Sequence, residues 1–128
     1  MNIDRLDHLV LTVADLDATL DFYSRVLGMT PVTFAGGRRG LQFGAQKINL
    51  HQAGREFEPK AATPLPGSAD LCFIATTRLD DVIAHLGQCG VALLEGPVER
   101  TGALGEMLSV YFRDPDGNLL EVSNYLAT

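Results

Sequence analysis

The sequence predicts an α+β protein: two βαβββ modules paired into one domain, with curved mixed sheets that form a cleft. Three observations predict it. A strand, a helix and three further strands follow one another in the same order in both halves of the 128 residues. Landmarks recur at equal spacing, since Gly28 follows His8 by 20 residues and Gly90 follows Asp70 by 20. Each half also ends in a hairpin pattern, with turn residues between apolar and β-branched runs. A module of about 60 residues buries little core alone. The two are therefore expected to form one domain over 1–128, with modules at about 5–53 and 68–126 joined by a linker at 54–67.

In the first module, DHLVLTV from Asp7 to Val13 is rich in branched residues and reads as a strand. Alternation puts Leu9, Leu11 and Val13 on one face and His8, Val10 and Thr12 on the other. Leu16, Leu20, Tyr23 and Leu27 then recur at helical spacing. Asp15 or Asp17 can cap the start of that helix, and Gly28 suits the left-handed residue past its end. Met29 to Phe34 is a second strand and Gly36 to Gly40 a turn. Leu41–Phe43 and Lys47–His51 pair across Gly44-Ala45-Gln46. From Gly54 to Gly67, three prolines and no periodicity mark the linker.

The second module opens with the strand Asp70–Ala75. Thr77 and Asp80 resemble a capping box, and Leu79, Val82, Ile83 and Leu86 form a helical stripe ending at Gly90. Val91–Leu94 reads as a strand and Gly96–Gly105 as a glycine-rich loop. Met107–Phe112 and Asn118–Tyr125 close the module around Asp114-Pro115-Asp116-Gly117. In that turn Pro115 presets φ, Asp114 can bond its own backbone, and Gly117 tolerates positive φ. Leu9, Leu11, Leu20, Leu27, Phe73, Ile83, Leu86 and Val122 are the expected core.

Composition narrows the function. Sixteen acidic residues against ten Lys and Arg give a net charge of −6, which argues against non-specific nucleic-acid binding. No apolar run is long enough to span a membrane, and MNIDRLDH lacks the basic and apolar regions of a signal peptide. Cys72 and Cys89 sit among apolar neighbours and read as buried thiols of a cytoplasmic protein.

The chemistry-bearing residues lie on equivalent strands. His8 and Asp70 open their modules, and Glu121 sits on the closing strand of the second, a carboxylate amid apolar residues that wants a cation, a donor or water. On the closing strand of the first module, Lys47, Asn49 and His51 share a face. If these faces line one cleft, it holds imidazole, carboxylate and amide groups, a mix that suits a divalent ion such as Mn²⁺, Fe²⁺, Ni²⁺, Zn²⁺ or Mg²⁺. Against this stand plainer readings: a hydrogen-bonded His8, an Asp70 that closes a turn, and a solvent-facing Glu121. Asn49 and His51 can touch substrate only, and Arg100 can bind an anionic group or be a solvated loop charge.

The segments DHLVLTVADLDATLDFYSRVLGM and YFRDPDGNLLEVSNY, with the paired modules between them, resemble the vicinal oxygen chelate superfamily. That superfamily includes glyoxalase I, extradiol dioxygenases, fosfomycin-resistance thiol transferases and bleomycin-resistance proteins. KINLHQAGREFEPKAATPLPGSADLCFI and EGPVERTGALGEMLSVYFRDPDGN are more similar to its glyoxalase-domain-containing 5, or virulence-type, group. The resemblance implies metal ligands at His8, Asp70 and Glu121, with His51 an alternative third ligand. It implies Glu121 as the proton-moving catalytic group, and a homodimer. Asp70 stands where His is usual, and Asn49 stands where glyoxalase I carries a Glu, two departures from the standard glyoxalase I pattern. The implied function is a metal-dependent, glyoxalase-like lyase or isomerase acting on a small molecule with vicinal oxygens. A metal-free binding or resistance protein, a dioxygenase and a thiol transferase are the alternatives on the same fold.

Overall fold

The computed structural model describes residues 1–126. Among the described residues, β1 (His8–Val13), α1 (Leu16–Arg25), β2 (Thr30–Phe34), β3 (Arg38–Phe43) and β4 (Gln46–Gln52) make the first module. The second comprises β5 (Asp70–Ile74), α2 (Leu79–Gln88), β6 (Glu95–Gly102), β7 (Gly105–Arg113) and β8 (Leu119–Tyr125). Two βαβββ modules of α+β type are therefore present. The chain divides into two compact units at Gly67–Ser68, where the expected linker ends.

In the first unit the strand order is β1-β4-β3-β2. β1 runs parallel to β4, with His8 beside Lys47, Val10 beside Asn49 and Thr12 beside His51. β3 pairs antiparallel with both β4 and β2. Helix α1 rests on β2, β3 and β4. Its buried Leu20 and Tyr23 meet the sheet face that carries Leu11, Val13, Leu41, Ile48 and Leu50, all buried. Each fully buried side chain of that size contributes roughly 1.5–3 kcal/mol. Asp15 caps the helix by accepting the Ala18 N–H at 3.1 Å, and Gly28 lies at φ 69°.

The second unit repeats this order as β5-β8-β7-β6. β5 is parallel to β8, with Cys72 beside Glu121. Helix α2 rests on β7 and β8, and Leu79, Val82, Leu86, Val110, Phe112, Leu120 and Val122 are buried. The turn after β7 is tightly bonded. Asp114 Oδ1 accepts the N–H groups of Asp116 and Asn118, each at 2.9 Å. Its Oδ2 accepts from Asn118 Nδ2 at 2.8 Å, and Asn118 Oδ1 in turn accepts the Ala69 N–H at 2.9 Å, tying the turn to the approach to β5.

Four expectations are corrected. The segment read as a loop at 96–105 contains most of β6, and 91–94 is not a strand. β6 is an edge strand with an irregular register between Glu95 and Val98, so Pro97 and the glycines are tolerated there. Gly96 in fact presses on β7: a Cβ there would lie 2.5 Å from the Ser109 carbonyl oxygen. Second, Thr77 and Asp80 do not cap α2. The cap position is Arg78, without a side-chain bond, and Asn124 Oδ1 accepts the Leu79 N–H at 2.7 Å. Gln52 does the same for α1, accepting the Leu16 N–H at 3.2 Å. In both modules an amide on the closing strand holds the start of the helix. Third, Cys72 is exposed and Cys89 half-buried. Fourth, Leu9, Leu27, Phe73 and Ile83 are only half-buried; Leu9 and Phe73 lie on the edge strands β1 and β5, outside the main footprint of the helices.

Candidate functional site

The face of each sheet opposite its helix carries the polar residues. In the first module these include His8, Lys47, Asn49 and His51, together with Arg38 on β3. The His8 ring nitrogen Nδ1 lies 2.8 Å from an Asp7 carboxylate oxygen, which fixes the ring while leaving the side chain 45% exposed. His51 is 7% exposed because the Phe57 ring from the linker stands edge-on to it, 5.7 Å between centroids. The Arg38 guanidinium lies over that same Phe57 ring at 4.4 Å. Burial, followed by the charge of Arg38, lowers the His51 pKa below its ordinary value, so the ring is neutral at neutral pH.

Two buried polar atoms on this face have no hydrogen-bond partner: Asn49 Oδ1 and His51 Nδ1. Buried polar atoms are rarely left so, and each such case calls for a physical explanation. Gly40 stands beside Asn49 on the neighbouring strand. A Cβ there would lie 3.1 Å from the Ile48 carbonyl oxygen, 3.3 Å from the Phe34 ring and 3.4 Å from Asn49 Oδ1, so the glycine lets the ring and the amide close over the strand.

In the second module, Asp70 is exposed on β5 and Glu121 is half-buried on β8. Glu121 lies beside Cys72 on one side and Tyr111 on the other. The Ser123 hydroxyl donates to Glu121 Oε2 at 3.3 Å. Since that uses Ser123's proton, Ser109 at 2.6 Å and Cys72 at 3.4 Å are left to donate to the Ser123 oxygen. Arg100, on strand β6, donates from Nε to the Tyr111 hydroxyl oxygen at 3.0 Å and from a terminal nitrogen to Glu95 at 3.1 Å. With Arg100 as its donor, Tyr111 keeps its own proton to give to Glu121. Burial raises the Tyr111 pKa; Arg100 opposes that rise and the Glu121 charge adds to it, leaving a neutral phenol. Burial, with the nearby carboxylates, also pushes the Cys72 thiol up, and its hydrogen bond with Ser123 only partly offsets this, so Cys72 is no ready nucleophile.

The same diagonal relates the expected ligands in each module. His8 sits one alternation before Asn49 across the β1–β4 pair, as Asp70 sits one alternation before Glu121 across β5–β8. The first module thus brings together His8 and the Asn49 amide, and the second brings together Asp70 and Glu121. Among the described residues, no three His, Cys, Asp or Glu side chains gather into a metal-holding group. The donor chemistry fits a hard or borderline divalent ion, and the orphaned Asn49 oxygen is an acceptor that such an ion or a substrate hydroxyl can satisfy. Tyr111, Phe57 and Arg38 were not among the expected site residues. Tyr111 alone had a legible signal, since it stands directly opposite Glu121 in the hairpin.

This βαβββ repeat with polar residues on equivalent strands defines a class, and the comparisons agree. The chain belongs to the glyoxalase/bleomycin resistance protein/dioxygenase superfamily, whose family model matches residues 5–122. Virulence protein STM3117 of Salmonella typhimurium is 61% identical over 126 residues, which cover 98% of this chain and 88% of the relative. The crystal structure of that protein matches with a TM-score of 0.97, covering 98% of this chain and all of the other. Glyoxalase domain-containing protein RDO1 of Mycosarcoma maydis is 56% identical over 125 residues, 98% of this chain and 70% of the relative. Lactoylglutathione lyase from Agrobacterium tumefaciens matches at a TM-score of 0.73 and 25% identity, over 97% of this chain and 96% of that one. Members of the superfamily bind small molecules, commonly use a divalent metal and often form dimers. No helix among the described residues is long and apolar enough to cross a membrane.

Proposed function

We propose that the protein is a metal-dependent, glyoxalase-like enzyme of the lyase or isomerase type, acting on a small molecule with vicinal oxygens. In this reading both modules act as one domain in a cytoplasmic homodimer. The observation that carries the proposal is the buried, partnerless Asn49 oxygen on the face of His8, matched in the second module by the Asp70–Glu121 diagonal. His8, Asp70 and Glu121 are the residues that would hold the ion, and their oxygen-rich set would favour Mn²⁺ or Mg²⁺ over Ni²⁺ or Zn²⁺. When bound, a divalent ion there supplies Lewis acidity to the substrate's oxygens.

The remaining chemistry belongs to the chain. Glu121 takes a proton from one substrate carbon and returns it to the neighbouring one, a role worth about 10²- to 10⁴-fold in rate. Ser123 and Tyr111 orient its oxygens as donors, and Arg100 fixes Tyr111. Asn49 and His51 contact the substrate on the other module. Extradiol dioxygenase and thiol transferase chemistries are less well served, because Asp70 takes the place of a second histidine.

The amide at Asn49 and the carboxylate at Asp70 favour a second reading, a metal-free binding protein for a small molecule. Metal content measured by mass spectrometry after metal-replete purification separates the two. Wild type is expected to carry about one equivalent, from the single site invoked. His8→Ala and Glu121→Gln are expected to lose most of it with unchanged circular dichroism. Equally low content in all three supports the binding protein instead. Light scattering with a mass near 13.8 kDa would count against the dimer.

A further inference from the structure

The contact that the proposed chemistry assigns to His51 is shut. The ring is more than nine-tenths buried, and its Nδ1 is buried without a partner. A substrate reaches that nitrogen only after the group lying against the ring has moved. That group is Phe57, itself 39% exposed, from the segment that follows β4.

This segment, 54–60, holds no helix or strand. It leaves β4 through a turn in which the Arg55 N–H donates to the Gln52 carbonyl oxygen at 2.9 Å. Gly54 sits in that turn at φ 84°, a left-handed conformation open to glycine without steric penalty. Beyond the turn its ion pairs stay within the segment, since Lys60 Nζ lies 3.3 Å from Glu58 and 3.6 Å from Glu56. Among the described residues, two ring contacts tie 56–60 to the sheet, and both belong to Phe57. One is the edge-on meeting with His51, 5.7 Å between centroids; the other is the Arg38 guanidinium over the ring at 4.4 Å.

The closed arrangement is finely balanced. A ring pair and a guanidinium over a ring are modest attractions. Against them, the closed segment leaves His51 Nδ1 and its own Glu56 Oε2 buried with no partner. An unsatisfied buried polar atom costs as much as such a contact contributes, or more. Opening lets water reach these atoms and removes that penalty. Phe57 is more than a third exposed already, so opening sacrifices little apolar burial. The sheet beneath is different, because Ile48 and Leu50 of β4 are buried. Local opening of the segment is therefore far less costly than unfolding the module.

We propose that residues 54–60 are a strap that turns on Gly54, with Phe57 as its latch, and that its opening uncovers His51 to the substrate. The proposal rests on the enzyme reading for the role of His51 as a substrate contact, and on the first module alone for the motion.

The test is the rate at which diethylpyrocarbonate acylates each histidine of the whole chain at neutral pH, without substrate or metal, read by peptide mass spectrometry. The exposed His8 and His85 serve as internal standards. His51 is expected to react more slowly than either. Its rate should stay nearly level as urea is raised below the unfolding transition, because opening a strap exposes little surface. Phe57→Ala is expected to speed His51 roughly tenfold, as loss of an aromatic contact predicts, with His8 and His85 unchanged. Phe57→Tyr keeps the ring and should keep the wild-type rate. Circular dichroism checks the fold of each variant, and the urea series on wild type needs no variant. A His51 rate that climbs with urea in step with global unfolding overturns the strap, since the cover then leaves only with the whole module. So does a wild-type His51 rate equal to that of His85, or one unaltered in a folded Phe57→Ala. If manganese fails to bind, the enzyme reading falls and the strap stands. If metal binds while His51 is reached only by unfolding, the strap falls and the enzyme reading keeps its metal site.

Discussion

The two modules share strand order and the parallel pairing of first strand with last, yet the polar faces of their sheets are in opposite states. In the first, Asn49 Oδ1 and His51 Nδ1 are buried without partners, and Arg38 and Lys47 stand over aromatic rings. In the second, Glu121 is enclosed by donors: Ser123 directly, Ser109 and Cys72 behind it, and Tyr111 backed by Arg100. A repeated backbone therefore fixes where polar side chains emerge and leaves open what they do. One face is left unsatisfied, as a surface for a ligand must be. The other is satisfied from within, which holds a single carboxylate in one orientation.

Several measurements can break or sharpen this contrast. The largest effect is expected from matched core deletions, Ile48→Ala in the first module and Leu120→Ala in the second, both from fully buried positions. Each should cost about 2–5 kcal/mol. In urea, a single transition shifted by either change means the modules unfold as one domain; two transitions, each sensitive to one change, mean they do not. Next comes Asn118→Ala, which removes the partner of Asp114 Oδ2 and of the Ala69 N–H. Because it removes both bonds made by a buried amide, a loss of roughly 2–3 kcal/mol is expected by the same measurement.

Smaller, and of different sign or size, are the two polar faces themselves. Tyr111→Phe breaks the bond to Arg100 and should cost about 1 kcal/mol. Asn49→Ala removes an acceptor that is already unsatisfied, so it should change stability by less than about 0.5 kcal/mol. Equal losses for the two would erase the contrast. The smallest effect concerns His51. Its folded pKa lies below the ordinary 6.5, so the unfolded chain binds more protons as pH falls. The stability it contributes is complete above about 6.5 and is lost as pH drops through the depressed folded value. His51→Gln should flatten the fall in melting temperature as pH drops below 6.5, relative to wild type. An unchanged slope would mean that His51 is not held neutral by burial.

What the sequence revealed was local. The Asp114–Gly117 turn, the Asp15 cap and the alternation in β1, β4 and β8 each depend on residues within a few positions, and all are present. What it hid was assembled across distance. Asn124 caps a helix start 45 residues away, where Thr77 and Asp80 offered a plausible local cap. Arg100 looked like a loop charge because Gly96, Pro97 and Gly102 disguise an edge strand, and so its bond to Tyr111 was invisible. His51 is buried by Phe57, a residue of a segment without periodicity. The equivalence of His8 with Asp70 and of Asn49 with Glu121 was readable only through the repeat.

The parallel seams have a consequence for how the chain assembles. His8 must wait for Lys47 and Asp70 for Leu119, separations of 39 and 49 residues, whereas β2–β3–β4 and β6–β7–β8 zip through short turns. Closing the longer loops carries the larger entropic cost, so the meanders form first and the opening strands dock last. β1 and β5 also lie at the edge of their four-stranded order, with a hydrogen-bonded neighbour on one side within each sheet. Amide hydrogens on His8–Val13 and Asp70–Ile74 should consequently exchange with solvent ahead of those on β4 and β8. A ligand that ties down an opening strand, at His8 in one sheet or at Asp70 in the other, would act as the last fastener of that sheet, and would be felt as slowed exchange along the whole strand.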